Sequence, residues 1–274
     1  MSLAHTASCR PVRVGALDWL ALHALALWPH GVYLVQRAVD GSDDPLGLLA
    51  LAAVAALLLW HRRRLRLTPR LPWLVASMAG AVAANGAWWA GLPALLASLL
   101  AALSLVCALL AWWPAAQPRV ALAGLVLLAL PWIASLQFYL GFPLRVITAQ
   151  LSAWGLQLAG FGAARSGASM LVNGQLVIVD APCSGVQMAW LAYFTACAAA
   201  AATGLRDRLF VRRAAWVGAI VLIGNVLRNS LLVALESRPS GLSTTWHEAI
   251  GLVVLAAVCA VVLRLVQRQE GSHV

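Results

Sequence analysis

The sequence predicts an all-α fold: a polytopic bundle of about eight transmembrane helices, with one extracytoplasmic loop that holds an amphipathic helix and a short β-hairpin. Three observations predict this fold. Of the 274 residues, 62% are hydrophobic and only 10% are charged, whereas soluble domains carry about 25% charged residues. Apolar runs recur at the length of about 20 residues that crosses a bilayer as a helix. Arginines cluster between these runs.

The apolar runs are the predicted spans, and their edges give the ranges 15–36, 45–61, 71–90, 92–113, 119–140, 184–204, 213–235 and 247–265. The first run is too long for the apolar core of a signal peptide and is followed by further runs. We therefore expect it to be an uncleaved anchor. The connection between the third and fourth spans is very short, only Ala90-Gly91.

Arginine placement predicts the orientation of the spans. With both termini in the cytoplasm, fourteen of the 19 arginines fall in cytoplasmic segments, which follows the positive-inside rule. We therefore expect a multi-pass protein of a bacterial inner membrane, with the lipid bilayer as its surroundings. The formal charge of +10 does not imply a nucleic-acid partner, because the arginines lie between apolar spans. The sequence has no lysine, which excludes a Walker-type phosphate loop and a Schiff-base enzyme.

Residues 141–183 form the one long loop, and this orientation puts the loop on the periplasmic side. From Pro143 to Phe161, apolar residues recur at helical spacing with polar residues between them, which predicts an amphipathic helix on the membrane surface. Asn173-Gly174 then lies between two β-prone runs, a strong signal for a hairpin. The hairpin leads directly into Asp180-Ala-Pro-Cys183, a non-helical entry to the sixth span.

Cys183 is the first candidate for chemistry, because the orientation places it at the outer face with no second cysteine to pair with. Pro182 and Ser184-Gly185 predict that Cys183 lies in the first turn of the sixth span. There the helix dipole and unpaired N–H groups favour a thiolate and could hold an oxyanion. The other cysteines are expected in the cytoplasm or within spans: Cys9, Cys107, Cys197 and Cys259.

Two further residues fall at the same face and depth. Arg228 lies inside the seventh span, where a charge is costly and usually functional. Asn225 lies about one turn before it and Asn229 directly after it, which predicts a polar stripe on this helix. His247 begins the eighth span, and histidine is the commonest general acid–base. A nucleophile, a base and a cation at one face are the generic arrangement for acyl transfer. We expect no metal, since no Cys/His spacing matches a zinc site, and no cofactor.

These residues carry a resemblance to a known family. Pro182-Cys183-Ser184-Gly185, Asn225-Val-Leu-Arg228 and His247 occur in the order found in the exosortases and archaeosortases. The resemblance covers roughly residues 120–265. It divides the chain into N-terminal spans at 1–118, an exosortase-like catalytic core at 119–268 that includes the loop, and a cytoplasmic tail at 269–274.

The resemblance implies a membrane-embedded cysteine transpeptidase. Its partners would be membrane-anchored proteins that end in a sorting signal of the PEP-CTERM kind: a short motif, a transmembrane helix and an Arg-rich tail. Such systems accompany exopolysaccharide production. Cys183 would form a thioester, His247 would move protons and Arg228 would stabilise the oxyanion. Residues that could orient these groups are Asp180, Ser184, Asn225 and Glu248.

Two other classes remain open from the residues alone. A transporter would use Arg228 to bind an anion near the bilayer midplane, but it should then contain paired interrupted helices in two halves. A scaffold subunit of an envelope-polysaccharide or export system would need no reactive thiol. Arg228 would then be an arginine that snorkels to the headgroups, and Cys183 a buried apolar residue.

Overall fold

The structure, a computed structural model, describes residues 15–178, 181–237 and 243–268, and most of them are helical. The α-helices are α1 (Ala16–Ala26), α2 (Trp28–Val39), α3 (Leu46–His61), α4 (Leu71–Trp89), α5 (Ala94–Trp112), α6 (Val120–Leu128), α7 (Ile133–Leu158), α8 (Val186–Thr203), α9 (Asp207–Glu236) and α10 (Thr244–Gln267). The strands are β1 (Ala163–Ser166), β2 (Ser169–Val172) and β3 (Gln175–Ile178). The predicted helical bundle with a small β element is confirmed.

The predicted number of eight spans is not confirmed. Within the described residues, five helices are long and apolar enough to cross a membrane, or six if a bent pair counts as one. The first predicted span is two helices, α1 and α2, which meet at Leu27. Pro29 in the first turn of α2 explains the break, because proline has no N–H to donate to the preceding turn. The third predicted span, α4, has the length but is less apolar, since it contains Ser77, Asn85 and three tryptophans.

The fifth predicted span, 119–140, is wrong as a continuous helix. It consists of α6 and the beginning of α7, which meet at a bend of 93°. Pro131 lies in the four-residue break, where it removes a helical hydrogen bond and disfavours helix at the preceding residue. The predicted surface helix from Pro143 to Phe161 is in fact the second part of α7, which continues through Pro143 and ends at Leu158.

The three strands form an antiparallel sheet in the order β1-β2-β3. The predicted Asn-Gly hairpin is confirmed: Val172 pairs with Gln175, and Asn173 (φ 50°) and Gly174 (φ 82°) both take the positive φ of a type I′ turn. The strand β1 was not predicted. It joins β2 through a second two-residue turn that begins with Gly167 (φ 63°).

Hydrogen bonds bring the arginine-rich segments to one end of the bundle. The backbone N–H groups of Arg66 and Arg70 donate to carbonyls at the C-terminus of α5, and those of Arg119 and Val120 donate to the side chain of Asp207. The guanidinium of Arg213 donates to the carbonyl of Val266. We call this the arginine-rich end, and its composition agrees with the grouping used to orient the spans.

The C-terminal helices pack around α8, which contacts α6, α7, α9 and α10. Fully buried alanines line α8 at Ala192, Ala196 and Ala200, and Gly124 of α6 faces the sulfur of Cys197 so closely that a Cβ there would lie 2.7 Å from it. Small residues at helix contacts let backbones approach, which is how helices associate in lipid. The bundle therefore holds α8 and the turn before it in a fixed place.

The N-terminal helices form a separate polar contact inside the bundle. His23 of α1 lies 2.9 Å from the Ser104 hydroxyl of α5, and that hydroxyl donates to the carbonyl of Ser77 on α4. Gly80 lets α4 and α5 approach at the same level, since a Cβ there would lie 3.0 Å from the Cβ of Ser104. This part of the chain thus packs by small residues and buried hydrogen bonds.

Candidate active site

Cys183 lies in a short 3₁₀ turn, Ala181–Ser184, that precedes α8. The prediction that Cys183 lies in the first turn of the helix is therefore wrong, because α8 begins at Val186. Gly185 separates the two elements with φ 83°, a conformation that other residues rarely adopt. Asn225 also packs against it, since a Cβ at Gly185 would lie 3.0 Å from the amide of Asn225. Glycine is required here on both grounds.

The carbonyl of Cys183 is held by two amides of α9. Asn225 Nδ2 donates to it at 2.9 Å and Asn229 Nδ2 donates to it at 3.2 Å. Both asparagines are 2% exposed. A buried carbonyl needs a donor, and two donors satisfy both of its lone pairs. The cysteine turn is thus fixed to the helix that carries Arg228, by one residue about a turn before Arg228 and one directly after it.

The side chain of Cys183 is buried beneath the loop. It is 7% exposed and packs in an apolar cluster with Ala153 of α7, Met170 and Val172 of β2, and Val233 of α9. The sheet is joined to α7 by Gln157 Nε2, which donates to the carbonyl of Ala163. The loop therefore covers the cysteine, and a peptide can reach the sulfur only after part of this cover moves.

Two hydrogen bonds with side chains of α7 also hold the cysteine turn and Asn225 in place. The Ser184 hydroxyl donates to Gln137 Oε1 at 2.9 Å, and it also accepts the N–H of Val186 at the start of α8. Asn225 Nδ2 lies 3.1 Å from the hydroxyl of Thr148, which is 1% exposed. Ser184 and Asn225, both predicted as supporting residues, thus position the backbone around Cys183.

The side chain of Arg228 lies on a different side of α9 from those of Asn225 and Asn229, toward α10. Its guanidinium lies against Gly251 of α10, where a Cβ would come within 3.2 Å of Nε and of a terminal nitrogen. Arg228 lines a cavity of about 520 Å³ together with Glu248 of α10 and Asp44, which precedes α3. Gln187 of α8 also lines this cavity and donates to Asp44 Oδ2 at 2.7 Å. We call it the Arg228 cavity.

His247 lies in the first turn of α10, about one helical turn before Gly251, and is partly exposed. Residues four apart share a helix face, so His247 is on the face of α10 that the guanidinium of Arg228 contacts. Glu248 lies beside it and lines the Arg228 cavity. The structure therefore brings His247, Arg228 and Glu248 to one region of the α9–α10 contact.

A second cavity, of about 460 Å³, lies on the other side of α8 and is almost entirely apolar. Three polar side chains line one end, next to the cysteine turn: Thr148, Ser184 and Asn225. Tyr193 lines the other end, beside Gly218. We call this cavity the apolar groove. The predicted arrangement at one face is thus divided: Ser184 and Asn225 line the apolar groove, and Arg228 and Glu248 line the Arg228 cavity.

An acidic segment lies beside the Arg228 cavity. Asp43 Oδ1 accepts the N–H groups of Asp44 and of Ala134, which belongs to the first turn of α7. Burial raises the pKa of the Asp43 carboxyl, although these backbone hydrogen bonds oppose the rise. No group of three or more His, Cys, Asp or Glu side chains that could hold a metal ion occurs among the described residues.

Sequence reasoning found part of this site. Asp180 lies outside the described residues, as does the predicted tail 269–274. Asn229 was noted beside Arg228, but its bond to the cysteine turn was not expected. Nothing in the sequence indicated the contributions of Thr148, Asp44 and Gly251, which come from three separate elements.

The fold and the site define a class of protein: a multi-pass membrane protein whose C-terminal helices enclose a covered cysteine turn and a partly buried arginine. Residues 38–264 match the family model described as transmembrane exosortase (Exosortase_EpsH). The chain therefore belongs to the transmembrane exosortase family. The match begins in α2, well before the core that the motifs indicated. No curated protein and no solved structure matches the chain.

Proposed function

We propose that the chain is a cysteine transpeptidase that removes C-terminal sorting signals from exported proteins. The signal has three parts: a short motif of the PEP-CTERM kind, a transmembrane helix and an Arg-rich tail. The reaction takes place on the periplasmic side of a bacterial inner membrane, next to the short motif, and the product serves envelope or exopolysaccharide assembly.

The sulfur of Cys183 attacks the carbonyl carbon of the scissile peptide bond. The carbon–nitrogen bond breaks, a thioester forms on Cys183, and the thiol proton passes through His247 to the leaving amine. The signal helix departs with a new amino terminus. Water, or an amine or hydroxyl of a lipid or glycan, then attacks the thioester and returns a proton to the sulfur.

Arg228 stabilises the negative charge that develops on the carbonyl oxygen in each step. Its planar guanidinium offers several N–H donors in fixed directions, which suits an oxyanion better than a single ammonium does. Asn225 and Asn229 keep the cysteine turn in register with Arg228, and Glu248 orients His247. Asp180 also helps to orient these groups, a role proposed from its position in the sequence two residues before Pro182.

One observation carries this proposal. The carbonyl of Cys183 accepts hydrogen bonds from Asn225 and Asn229, which flank Arg228 on α9. A cysteine that served only as apolar filling would not need its turn fixed by two buried amides from a neighbouring helix. Preorganisation of this kind is what a nucleophile and an oxyanion donor require.

The test uses a secreted reporter that ends in a Pro-Glu-Pro motif, a helix of about 20 apolar residues and several arginines. Membranes containing the chain should shorten the reporter, and added hydroxylamine should yield the shortened reporter as a C-terminal hydroxamate, identified by mass spectrometry. Hydroxylamine captures thioesters, so the hydroxamate reports the intermediate directly. The same membranes with Cys183→Ala should leave the reporter intact.

Two results would contradict the proposal. Release of only the free acid at saturating hydroxylamine would exclude an accessible thioester, and shortening by the Cys183→Ala chain would exclude Cys183 as the nucleophile. A transporter or a scaffold subunit, the two other classes compatible with the sequence, would leave the reporter uncleaved with every variant.

A further inference from the structure

The apolar groove has a direction. Three helices line it, α8 and α9 over about two turns each and α7 over about three, and one end lies at the cysteine turn. Along α9 it extends from Asn225 to Gly218, and along α8 from Val186 to Tyr193. Seven residues of helix rise about 10 Å. The groove therefore runs from beside Cys183 toward the arginine-rich end of the bundle.

Asn225, at the end of the groove, has a buried side-chain acceptor without a partner among the described residues. Cys183 O can only accept, so the nitrogen of the Asn225 amide must face it, and this fixes the orientation of the side chain. Asn225 Oδ1 then has no hydrogen-bond partner among the described residues, although Asn225 is 2% exposed. A buried acceptor left unpaired costs about 1–3 kcal/mol, so a ligand that supplies a donor would recover this energy.

The chemistry of the groove selects the ligand. The occupant must present apolar side chains along the groove and an uncharged N–H at its end, since no acidic residue lines it. The beginning of a transmembrane helix has both features, because the first four N–H groups of a helix have no partner within the helix and need acceptors where water is absent. Lipid acyl chains would fill the apolar part but carry no N–H donor.

We propose that the apolar groove binds the first turns of the substrate's transmembrane helix, and that Asn225 Oδ1 accepts one of the unpaired N–H groups at the start of that helix. This inference rests on the proposed function and extends it. Ser184 and Gly185 line the same end of the groove, so the helix begins within a few residues of the bond that Cys183 attacks. The hydrogen bond to Asn225 thereby fixes the number of residues between the start of the substrate helix and the scissile bond.

Crosslinking identifies the occupant without any need for turnover. The photoreactive amino acid p-benzoylphenylalanine replaces Leu222, which lines the groove, or Leu227, which is on α9 but lines neither cavity. Both leucines are substantially exposed, at 39% and 61%. In the full Cys183→Ala chain, position 222 should crosslink to the first turns of the reporter helix, and position 227 should not.

A groove-filling substitution provides the functional test. Leu222→Trp should reduce processing of the reporter at least tenfold in chains that retain Cys183, whereas Leu227→Trp should process normally. Equal amounts of both variants in the membrane show that neither loses its fold.

The hydrogen bond is tested on the reporter rather than on the enzyme. Proline is tolerated in the first turn of a helix and removes one N–H without breaking the helix. Prolines placed singly through the first turn should reduce processing about tenfold at one position, the expected loss for a buried hydrogen bond, and little at the others.

The results separate the groove from the proposed function. Crosslinks from position 222 to phospholipid alone, or equal crosslinks from both positions, would overturn the groove assignment even if the wild-type chain processes the reporter. A flat proline scan would remove Asn225 Oδ1 from recognition. Crosslinking of the reporter helix at 222 without any processing by the wild-type chain would support the groove and refute the transpeptidase.

Discussion

The two ends of α9 each carry an arginine that contacts α10, and the two arginines have different surroundings. At the arginine-rich end, Arg213 is 8% exposed and donates to the carbonyls of Val266 and Arg268, the last carbonyls of α10. At the Cys183 end, Arg228 lies against Gly251 and lines a cavity with Asp44 and Glu248. Both arginines of α9 thus contact α10, but Arg213 binds backbone carbonyls and Arg228 faces a cavity.

The comparison teaches what a buried charge indicates. Helix ends leave carbonyls without partners, and Arg213 satisfies two of them, so its hydrogen bonds explain its burial. Arg228 instead faces a cavity next to the turn that holds Cys183. The presence of an arginine within an apolar helix is therefore a weak sign of function, and the neighbours of its guanidinium decide between a structural and a chemical role.

The largest effect is expected at the cysteine turn, at the Cys183 end of α9. Cys183→Ala should abolish processing of the reporter, because no other group on this turn can form a thioester. Cys197→Ala, a 4% exposed position of α8, is the matched control and should retain processing. Gel analysis of the reporter at equal enzyme levels measures both, and wild-type rates with Cys183→Ser or Cys183→Ala would end the nucleophile assignment.

The next largest effect separates the two arginines. Arg228→Lys should lower processing about 100- to 1000-fold, the usual loss for an oxyanion donor, because lysine keeps the charge but not the planar set of donors. Arg213→Lys makes the same exchange at the other end of α9 and should process normally. His247→Ala should be as severe as Arg228→Ala, and the double variant should be far less than additive.

Near-normal processing by Arg228→Lys would make the two ends of α9 equivalent and leave a Cys–His pair to carry the reaction. Additive losses in the double variant would mean that His247 and Arg228 act in separate steps.

A smaller effect is expected at Gly251. Ala is a better helix former than Gly by about 1 kcal/mol, so Gly251→Ala should not destabilise the protein. Its methyl group would nevertheless press on the Arg228 guanidinium, which should lower processing about tenfold while thermal stability in detergent is unchanged or higher. Gly86→Ala on α4, which has open space around the new methyl group, should leave processing unchanged. Full activity of Gly251→Ala would show that the position of the guanidinium is not critical.

The smallest effect on processing is expected at Arg213, where the change should be in stability. Arg213→Met leaves the carbonyls of Val266 and Arg268 without their donor and should lower the free energy of unfolding by about 1–3 kcal/mol. Thermal unfolding in detergent measures the loss, and Arg212→Met, at an exposed neighbour, is the control. Processing per folded molecule should stay at the wild-type level, so a selective loss of turnover in Arg213→Met would contradict the contrast between the two ends.

Local patterns predicted much of the fold. Apolar runs identified α3, α5, α8, α9 and α10, and Asn173-Gly174 identified the hairpin. These features depend only on residues close together in the chain, because a span is defined by the hydropathy of one segment and a type I′ turn by two residues. The prediction failed where a run could be either one helix or two. Nothing in the length of the run 119–140 indicates that α6 and α7 meet at 93°.

The candidate site was predicted less completely. The sequence supplied the cysteine, arginine and histidine motifs and their order. It also placed Asn225 and Asn229 on the same side of α9 as Arg228, whereas the asparagines face the cysteine turn and Arg228 faces α10. It did not indicate that both asparagines donate to the carbonyl of Cys183, which lies 42 and 46 residues earlier in the chain. Nor did it indicate that Ser184 and Arg228 line two different cavities.

The sequence by itself determined that this protein is a multi-pass membrane protein with a β-hairpin before the helix that follows Cys183, since hydrophobicity, charge placement and turn chemistry are properties of short segments. Only the tertiary structure decided that Gly251 lies against Arg228, that Met170 covers Cys183 and that Asn225 closes one end of an apolar groove. The reason is physical. Each of these contacts joins elements far apart in the chain, and helix packing, which depends on the shapes of whole surfaces, selects them from many arrangements that the same local pattern allows.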